Sequence, residues 1–280
     1  MLQDMAFGRL ENEFRNIAAR DEDIIVCFRE SQVLLSRGAD DSLTLPTLSN
    51  IESWQTSAAP RYLFRMQERN FFLWMDAAPV CVEGGFAYEP VRLLRQLQSK
   101  EICFALMTAW HLYNWYRSNR FCGCCGAPTE HDDKERMLRC PACGNMIFPR
   151  ISPAVIVAVT NGEKILLSKY AGRAYTHYAL LAGYTEIGET IEQTVHREVM
   201  EEVGLRVKNL RYYKSQPWGV DGNVLMGFFC DVEGSDAIHI DENELAMADW
   251  YLRDRIPARD DGISLTREMI RIFEEGKEPK

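Results

Sequence analysis

Three glutamates at helical spacing are the clearest chemical feature of this 280-residue sequence. Glu198, Glu201 and Glu202 occupy positions i, i+3 and i+4, which places their carboxylates on one side of a helix. Crowded carboxylates repel one another unless cations lie among them, and ligand sets made only of oxygen favour hard ions such as Mg²⁺ or Mn²⁺. The spacing therefore predicts a metal-dependent catalytic site.

A glycine, an acid and an arginine stand in fixed register with these glutamates. Gly183 and Glu189 precede the predicted helix, and Arg197 directly precedes Glu198. A guanidinium next to several carboxylates is expected to pair with one of them. We expect Arg197 to pair with Glu189 and so to hold the preceding loop against the helix.

The helix itself has clear start and stop signals. Thr190 is a natural N-cap with Gln193 at the reciprocal capping position, and Gly204 suits the left-handed residue that ends a helix. Apolar residues at every fourth position predict a buried ridge. The ridge residues are Ile191, Val195, Val199 and Val203.

Two copies of a Cys-x-x-Cys-Gly pattern predict a metal site of a different kind. Cys122 and Cys125 form the first pair, and Cys140 and Cys143 form the second. Four thiolates presented by two tight turns suit a closed, tetrahedral and structural Zn²⁺ site, one per chain. Cys124 is surplus to this symmetric arrangement. Such a ribbon serves either to bind nucleic acid or to staple a small segment, and we favour the staple because nearby arginines are offset by acids.

Periodicity divides the remaining chain into strands and helices of a mixed α/β (α+β) protein. We expect an N-terminal α/β domain over residues 1–118, the ribbon over 119–150 and a catalytic domain over 151–280. Helices are predicted at about 100–118 and 264–275, and Asn161-Gly162 predicts a two-residue hairpin turn with positive φ at both positions. The predicted strands cover residues 24–28, 62–64, 71–74, 154–159, 164–167 and 224–230.

Composition limits the classes of function. The chain is 46% hydrophobic and 26% charged, with a net charge of −9, so it is a poor candidate for tracking along a nucleic-acid backbone. No apolar run approaches the roughly 20 residues that span a bilayer, so we expect no membrane association. The first residues lack the features of a secretory signal, and the cytoplasm is the expected location.

The order of motifs resembles one branch of a known family. The segment from Gly183 to Leu205 matches the Nudix box, and Ser215-Gln216-Pro217-Trp218 follows it. With a zinc ribbon in front, this order is similar to the NADH pyrophosphatase branch of the Nudix hydrolases. The resemblance implies a Nudix α/β/α sandwich, a homodimer, structural zinc and two or three catalytic Mg²⁺ or Mn²⁺ ions. It also implies cleavage of NAD⁺ or NADH to nicotinamide mononucleotide and AMP, and removal of NAD caps from RNA.

The resemblance further implies roles for individual residues. The catalytic carboxylates would be Glu198, Glu201 and Glu202, with Glu201 our first choice to orient the attacking water. The ligands of the catalytic metal would be the Ala182 carbonyl, Glu198, Glu202 and Glu244. Substrate contacts would come from Glu135, Phe148, Tyr184, Gln216, Pro217, Trp218, Gly219, Val220, Asp221, Gly222, Asn223 and Thr266.

One segment departs from the branch. After Trp218 the branch usually continues with Pro-Phe-Pro, whereas this chain has Gly219-Val220-Asp221, so we expect a more flexible recognition loop. The loop leaves open a Nudix pyrophosphatase for ADP-ribose or another nucleoside diphosphate derivative. A non-catalytic regulator that binds nucleic acid through the ribbon is a further alternative, disfavoured because all three glutamates are present.

Overall fold

The computed structural model describes residues 1–4, 9–38, 42–51, 59–75, 85–96, 99–172, 176–257 and 262–280. The chain forms two compact units. The C-terminal unit contains residues 1–2, 151–218 and 222–280, and the N-terminal unit contains residues 3–150 and 219–221.

The N-terminal unit is built on a mixed sheet and one long helix. The strand order is β1-β5-β6-β2-β3-β4, with β7 on β3, and β2 runs parallel to β6. The strands are β1 (Leu10–Glu11), β2 (Ile24–Arg29), β3 (Gln32–Arg37), β4 (Leu43–Thr44), β5 (Arg61–Met66), β6 (Arg69–Trp74) and β7 (Ala87–Pro90). Helix α1 (Lys100–Ser118) begins after Ser99, whose hydroxyl accepts from the Ile102 amide. The strands and the helix predicted here are confirmed.

Aromatic side chains of α1 pack against this sheet. The ring of Phe28 lies 5.1 Å from that of Trp110 and 5.0 Å from that of Tyr113 between ring centroids. Trp115 and Tyr116 are buried as well. These aromatic residues therefore belong to the core of the N-terminal unit.

The cysteine-rich segment follows α1 and forms a small three-stranded sheet of order β10-β9-β8. Its strands are β8 (Glu130–His131), β9 (Leu138–Arg139) and β10 (Met146–Ile147). Strands of two residues bury little apolar surface, so such a segment needs a further source of stability.

The C-terminal unit is a six-stranded sheet with a helix on each face. The order is β14-β15-β11-β12-β16, with β13 also pairing with β11, and β11 runs parallel to β15. The strands are β11 (Ser152–Asn161), β12 (Lys164–Tyr170), β13 (Leu181–Tyr184), β14 (Arg206–Trp218), β15 (Asn223–Glu233) and β16 (Leu245–Leu252). The helices are α2 (Ile191–Val203) and α3 (Leu265–Glu274).

The central strand β11 is buried on both faces. Its odd-numbered residues Val155, Val157 and Val159 pack with the valines of α2. Ile156 and Ala158 point to the other face and pack with α3. The predicted α/β/α sandwich is thus confirmed, and none of the helices in the described ranges is long and apolar enough to cross a membrane.

The turn between β11 and β12 differs from the prediction by one residue. Asn161 pairs with Lys164 as part of the ladder, so the two turn residues are Gly162 and Glu163. Gly162 has φ of 58°, but neither Asn161 nor Glu163 has positive φ. The prediction of Asn161-Gly162 with two positive φ values was wrong, because a glycine at the first turn position suffices for a type II′ hairpin.

Candidate active site

Helix α2 carries the predicted catalytic carboxylates and begins as the sequence indicates. The Thr190 hydroxyl accepts from the Gln193 amide at 3.2 Å, and the Gln193 side chain accepts from the Thr190 amide at 2.8 Å. Gly204 ends the helix with φ of 68°. The capping predictions are confirmed, and the buried valines of α2 turn one face of the helix to the sheet.

Arg197 organises the loop that precedes α2. Its Nε donates to Glu189 Oε1 at 2.6 Å, and its Nη2 donates to Glu189 Oε2 at 3.0 Å and to the Tyr184 carbonyl at 2.8 Å. Its Nη1 donates to Glu198 and Glu201, both at 2.8 Å. The predicted pairing of Arg197 with Glu189 is confirmed, and this two-point contact is the stronger form of an ion pair.

Glu189 is held as a charged group by its surroundings. It accepts from Arg197, from the Glu186 amide and from the Thr194 hydroxyl, in addition to lying at the start of α2. Hydrogen bonds from Arg197 above all lower the pKa of Glu189 to about 2. Glu189 therefore anchors the loop in its charged form at neutral pH.

Glu198 lies directly against the backbone of Gly183. A Cβ atom built on Gly183 would lie 1.8 Å from the Glu198 carboxyl carbon and 2.1 Å from both of its oxygens. Only glycine at position 183 leaves room for this carboxylate. The contact with Glu198 thus explains why the residue at position 183 is glycine.

The environment of Glu198 suits a ligand of a cation. The residue is 8% exposed. Burial raises the pKa of Glu198, the charges of Glu201 and Glu244 raise it further, and Arg197 acts in the opposite direction. A buried carboxylate beside other carboxylates is stabilised by a bound divalent cation, and carboxylate oxygens are ligands that fit Mg²⁺ or Mn²⁺.

Glu202 and Glu244 belong to the same end of the unit. Glu202 is 2% exposed, one helical turn after Glu198, and its carbonyl accepts from the Asp241 amide at 3.0 Å. Glu244 follows Asp241 in this segment, its amide donating to the Asp241 carbonyl and its own carbonyl accepting from the Ala171 amide. The C-terminal end of α2 therefore positions the segment that carries Glu244.

The carboxylates do not converge as tightly as the cysteines do. Within the described ranges, the four ribbon cysteines are the only group of three or more metal-binding side chains whose ligand atoms all lie within 4.8 Å of one another. Glu201 points outward, with 60% of its side chain exposed. The structure brings Glu198 together with Gly183 and Arg197, and the charge of Glu244 acts on Glu198.

The predicted recognition loop is the tip of a hairpin. Strand β14 continues through Trp218, which pairs with Asn223 at the start of β15, so the connection consists of residues 219–222. Trp218 and Asn223 are both buried, whereas Pro217 and Asp221 are exposed. Strand β14 is not predicted from the sequence, because its polar and charged residues conceal the alternation on which strand prediction depends.

Gly219 within this tip has a packing reason to be glycine. A Cβ atom on Gly219 would lie 2.2 Å from the Met107 carbonyl oxygen, within the N-terminal unit. Backbone approaches backbone at this point. Where the branch usually has the first proline of Pro-Phe-Pro, this chain thus has a glycine, at a position with no room for a side chain. The neighbouring Val220 is half-buried.

Gln216 is placed differently from the expected substrate contact. Its side chain is 0% exposed, its Nε2 donates to the Ile263 carbonyl at 2.8 Å, and its Oε1 accepts from the Leu265 amide at 2.7 Å. The amide therefore joins β14 to the start of α3.

Two predicted aromatic contacts are exposed as binding faces require. Tyr184 in the C-terminal unit and Phe148 in the N-terminal unit are 51% and 52% exposed. The Tyr184 hydroxyl donates to Asn223 Oδ1 at 3.2 Å. Thr266 is half-buried in the first turn of α3, and Glu135 is exposed in the ribbon.

The four ribbon cysteines form a compact sulfur cluster. The sulfur atoms of Cys122 and Cys143 are 3.6 Å apart, and those of Cys125 and Cys140 are 3.4 Å apart. Such a set of four sulfurs fits a tetrahedral zinc ion of structural type. Cys124 is not part of this cluster, as the predicted ligand set requires.

The two cysteine turns have the same hydrogen bonds. In the first, the Gly126 amide donates to the Cys122 carbonyl at 2.8 Å, and in the second the Gly144 amide donates to the Cys140 carbonyl at 2.9 Å. Gly126 and Gly144 have φ of 77° and 75°. The repeated geometry explains why each pair is followed by glycine. The donation from the Cys124 amide is the main cause that lowers the pKa of Cys122, which favours the thiolate that binds metal.

Comparison with known proteins supports both modules. Residues 150–272 match the NUDIX domain, and residues 117–148 match the NADH pyrophosphatase zinc ribbon domain. A Stutzerimonas stutzeri protein named NAD-capped RNA hydrolase NudC is 33% identical over 87% of this chain and 84% of its own length. A Pseudomonas aeruginosa protein of the same name is 36% identical over 68% of each chain.

Another relative matches a shorter part of this chain with higher sequence identity. The Klebsiella pneumoniae protein with this name is 40% identical over 57% of this chain, and the match spans 62% of its own length. Together with the box geometry and the sulfur cluster, these relationships identify the chain as a member of the Nudix hydrolase family, in the branch that carries an NADH pyrophosphatase zinc ribbon before the Nudix domain.

Proposed function

We propose that this protein hydrolyses the pyrophosphate bond of NAD⁺ and NADH, releasing nicotinamide mononucleotide and AMP, and that it removes NAD from the 5′ end of capped RNA by the same reaction. The observation that carries the reaction type is the placement of Glu198 against Gly183, with Arg197 bound to both Glu189 and Glu198. The relatives named NAD-capped RNA hydrolase support the choice of substrate.

The carboxylates of α2 have different roles in the proposed reaction. Glu198 and Glu202, with Glu244 and the Ala182 carbonyl, would hold divalent cations at the end of β13. When bound, these cations neutralise the charge that develops on the pyrophosphate oxygens and make a water molecule more acidic. Glu201 is exposed and is held by Arg197 at 2.8 Å, so it can orient the attacking water from the solvent side.

Arg197 and Glu189 hold other groups of the site in place and do not themselves react with the substrate. The guanidinium binds Glu189, Glu198, Glu201 and the Tyr184 carbonyl, so it fixes the loop, the helix and the end of β13 relative to one another. Preorganised charged groups of this kind spare the reaction the cost of reorientation.

We further infer the cofactors and the state of the protein. One Zn²⁺ per chain would be bound by Cys122, Cys125, Cys140 and Cys143, and two or three Mg²⁺ or Mn²⁺ ions would serve catalysis. The eight described cysteines form no disulfide, which supports a reducing compartment, and we propose the cytoplasm. We also propose a homodimer, in which each chain has successive domains over residues 1–118, 119–150 and 151–280. Sedimentation would test the dimer, and limited proteolysis would test the domain bounds.

The deciding experiment is a substrate panel. The protein is assayed with NAD⁺, NADH, ADP-ribose and NAD-capped RNA, each with Mg²⁺ and with Mn²⁺, and the products are identified by mass. We expect AMP and nicotinamide mononucleotide from both dinucleotides. A strong preference for ADP-ribose, with NADH barely cleaved, would contradict the substrate and leave the Nudix chemistry in place.

A further inference from the structure

The ring of Tyr184 spans the central strand of the catalytic sheet. Tyr184 is the last residue of β13 and pairs with Ala154 of β11. Asn223 is the first residue of β15 and pairs with Ser152 on the opposite edge of β11. The two residues therefore lie two strand spacings apart, about 10 Å. The Tyr184 hydroxyl nevertheless donates to Asn223 Oδ1 at 3.2 Å, so the side chain reaches across β11.

This arrangement places the ring on the face of α3. Ala182 packs in the core cluster beneath α3, and residues two apart on a strand share a face, so Tyr184 points the same way. Gly183 points to the other face, where Glu198 lies. The short side chains of Ser152 and Ala154 between the two partners leave room for the ring.

Tyr184 is fixed at both ends, and its ring is still open to solvent. Its carbonyl accepts from Arg197 at 2.8 Å, which ties its backbone to the box. Its hydroxyl is tied to Asn223, which is only 8% exposed, whereas Tyr184 itself is 51% exposed. An aromatic face that is half exposed and cannot rotate freely is suited to stacking on a flat ring.

We propose that Asn223 is a positioning residue for substrate binding: its amide oxygen fixes the Tyr184 ring as a binding face for a planar ring of the dinucleotide. Asn223 thereby sets affinity without touching the substrate. This inference rests on the proposed function. It assigns to Asn223 an indirect role, in place of the direct substrate contact that the resemblance implied.

The test is a double-mutant cycle read from binding. The Kd of NAD⁺ is measured by calorimetry without added divalent ion for the parent protein, Tyr184→Phe, Asn223→Ala and the double variant. Because Tyr184→Phe keeps the ring and removes only the hydroxyl, we expect it to weaken binding by about three- to tenfold, the contribution of one hydrogen bond. Asn223→Ala should weaken binding similarly, and the double variant should be no weaker than either single variant.

Turnover gives a second readout and a control. With Mg²⁺ present, KM should rise with Kd for both single variants, while kcat should stay within about threefold of the parent value. Tyr212→Phe is the matched control, since Tyr212 is a comparably exposed tyrosine on β14, a strand of the same sheet. It should leave the Kd unchanged.

The outcomes separate this inference from the proposed function. Equal Kd values for Tyr184→Phe and the parent, or effects that multiply in the double variant, would overturn the role of Asn223. A parent protein that binds NAD⁺ with the expected cycle but cleaves none of the panel would contradict only the proposed activity. A parent protein that does not bind NAD⁺ without divalent ion would overturn the role of Asn223, and one that also cleaves no NAD⁺ or NADH with Mg²⁺ or Mn²⁺ would overturn the proposed function as well.

Discussion

Gly183 and Glu198 occupy complementary space: a Cβ atom at position 183 would overlap the carboxyl group of Glu198, at 1.8 Å from its carbon. The contact joins the end of β13 to the middle of α2. It gives the glycine of the box a steric role toward a specific carboxylate.

Gly183→Ala should displace this carboxylate and strongly reduce turnover. The methyl group cannot coexist with Glu198 in its observed position, so either the side chain or the strand must move. We expect kcat to fall by about 100-fold or more, as for a small misplacement of reacting groups. Steady-state kinetics would show it, with Gly123→Ala as a control for folding, since an added Cβ atom there meets no atom within 4 Å and its φ lies outside the left-handed region. Parent-like turnover in Gly183→Ala would contradict the steric role.

Arg197→Lys should reduce activity although the charge is kept. The five hydrogen bonds of the guanidinium need its planar fork, which lysine lacks. We expect kcat to fall by about 10- to 100-fold, together with a lower thermal midpoint. Arg206→Lys, at an exposed position just after α2, is the matched control. The organising role would be wrong if both variants behaved alike.

Glu202→Gln should nearly abolish hydrolysis while the protein remains folded. The change removes the negative charge from a buried position and keeps the size of the side chain. A loss of several orders of magnitude in kcat is expected for removal of a charged metal contact, about 10³-fold or more. Glu192→Gln, on the exposed first turn of α2, should retain activity. Glu201→Gln gives the parallel measurement for the solvent-facing carboxylate, and activity within about tenfold of the parent in both would refute the site.

Zinc content should distinguish the Cys140→Ser variant from the Cys124→Ser variant. Cys140→Ser removes one of the four clustered sulfurs and should release the metal and destabilise the ribbon, because metal-binding energy is folding energy there. Cys124→Ser should keep one zinc per chain, as measured by elemental analysis of the purified protein. Loss of zinc from the Cys124 variant would overturn the ligand assignment.

His131 should make the N-terminal unit sensitive to acid. Burial, helped by the charge of Arg61, lowers the pKa of His131 from 6.5 to about 4. As the pH falls, His131 is protonated in the unfolded chain at a higher pH than in the folded protein. The contribution of neutral His131 to the free energy of unfolding is therefore complete above pH 6.5 and is lost as the pH falls toward 4. His131→Phe, which can preserve the ring contact with Tyr116 at 5.2 Å, should flatten this part of the dependence.

Thermal unfolding at several pH values between 7 and 4 would measure the effect as a difference between variant and parent. His196→Gln, at an exposed position on α2, should track the parent throughout. Identical slopes for His131→Phe and the parent would show that His131 does not contribute.

Short-range patterns predicted much of the site. Thr190, Gln193 and Gly204 are local signals, and the structure realises each of them at the predicted position. The zinc turns follow from the spacing of the cysteines and the glycine after each pair. In these segments local hydrogen bonding and covalent spacing determine the geometry, so a single sequence contains enough information.

Long-range contacts explain what could not be predicted. The burial of Gln216 depends on α3, about 50 residues later in the chain, so nothing near Gln216 indicates it. Likewise β14 is stabilised by pairing with β15 rather than by its own mostly polar residues. The requirement for glycine at 219 comes from the Met107 carbonyl, more than 100 residues earlier.

The Gln216 amide also has a consequence for the motion of the C-terminal unit. By accepting from Leu265 and donating to Ile263, it closes a ring of hydrogen bonds between the hairpin and the first turn of α3. The end of β14 and that turn should then open together in hydrogen exchange, as one cooperative segment. A ligand that orders the end of β14 would accordingly slow exchange at Leu265 and Thr266, so amide protection in α3 can report on binding near Gln216.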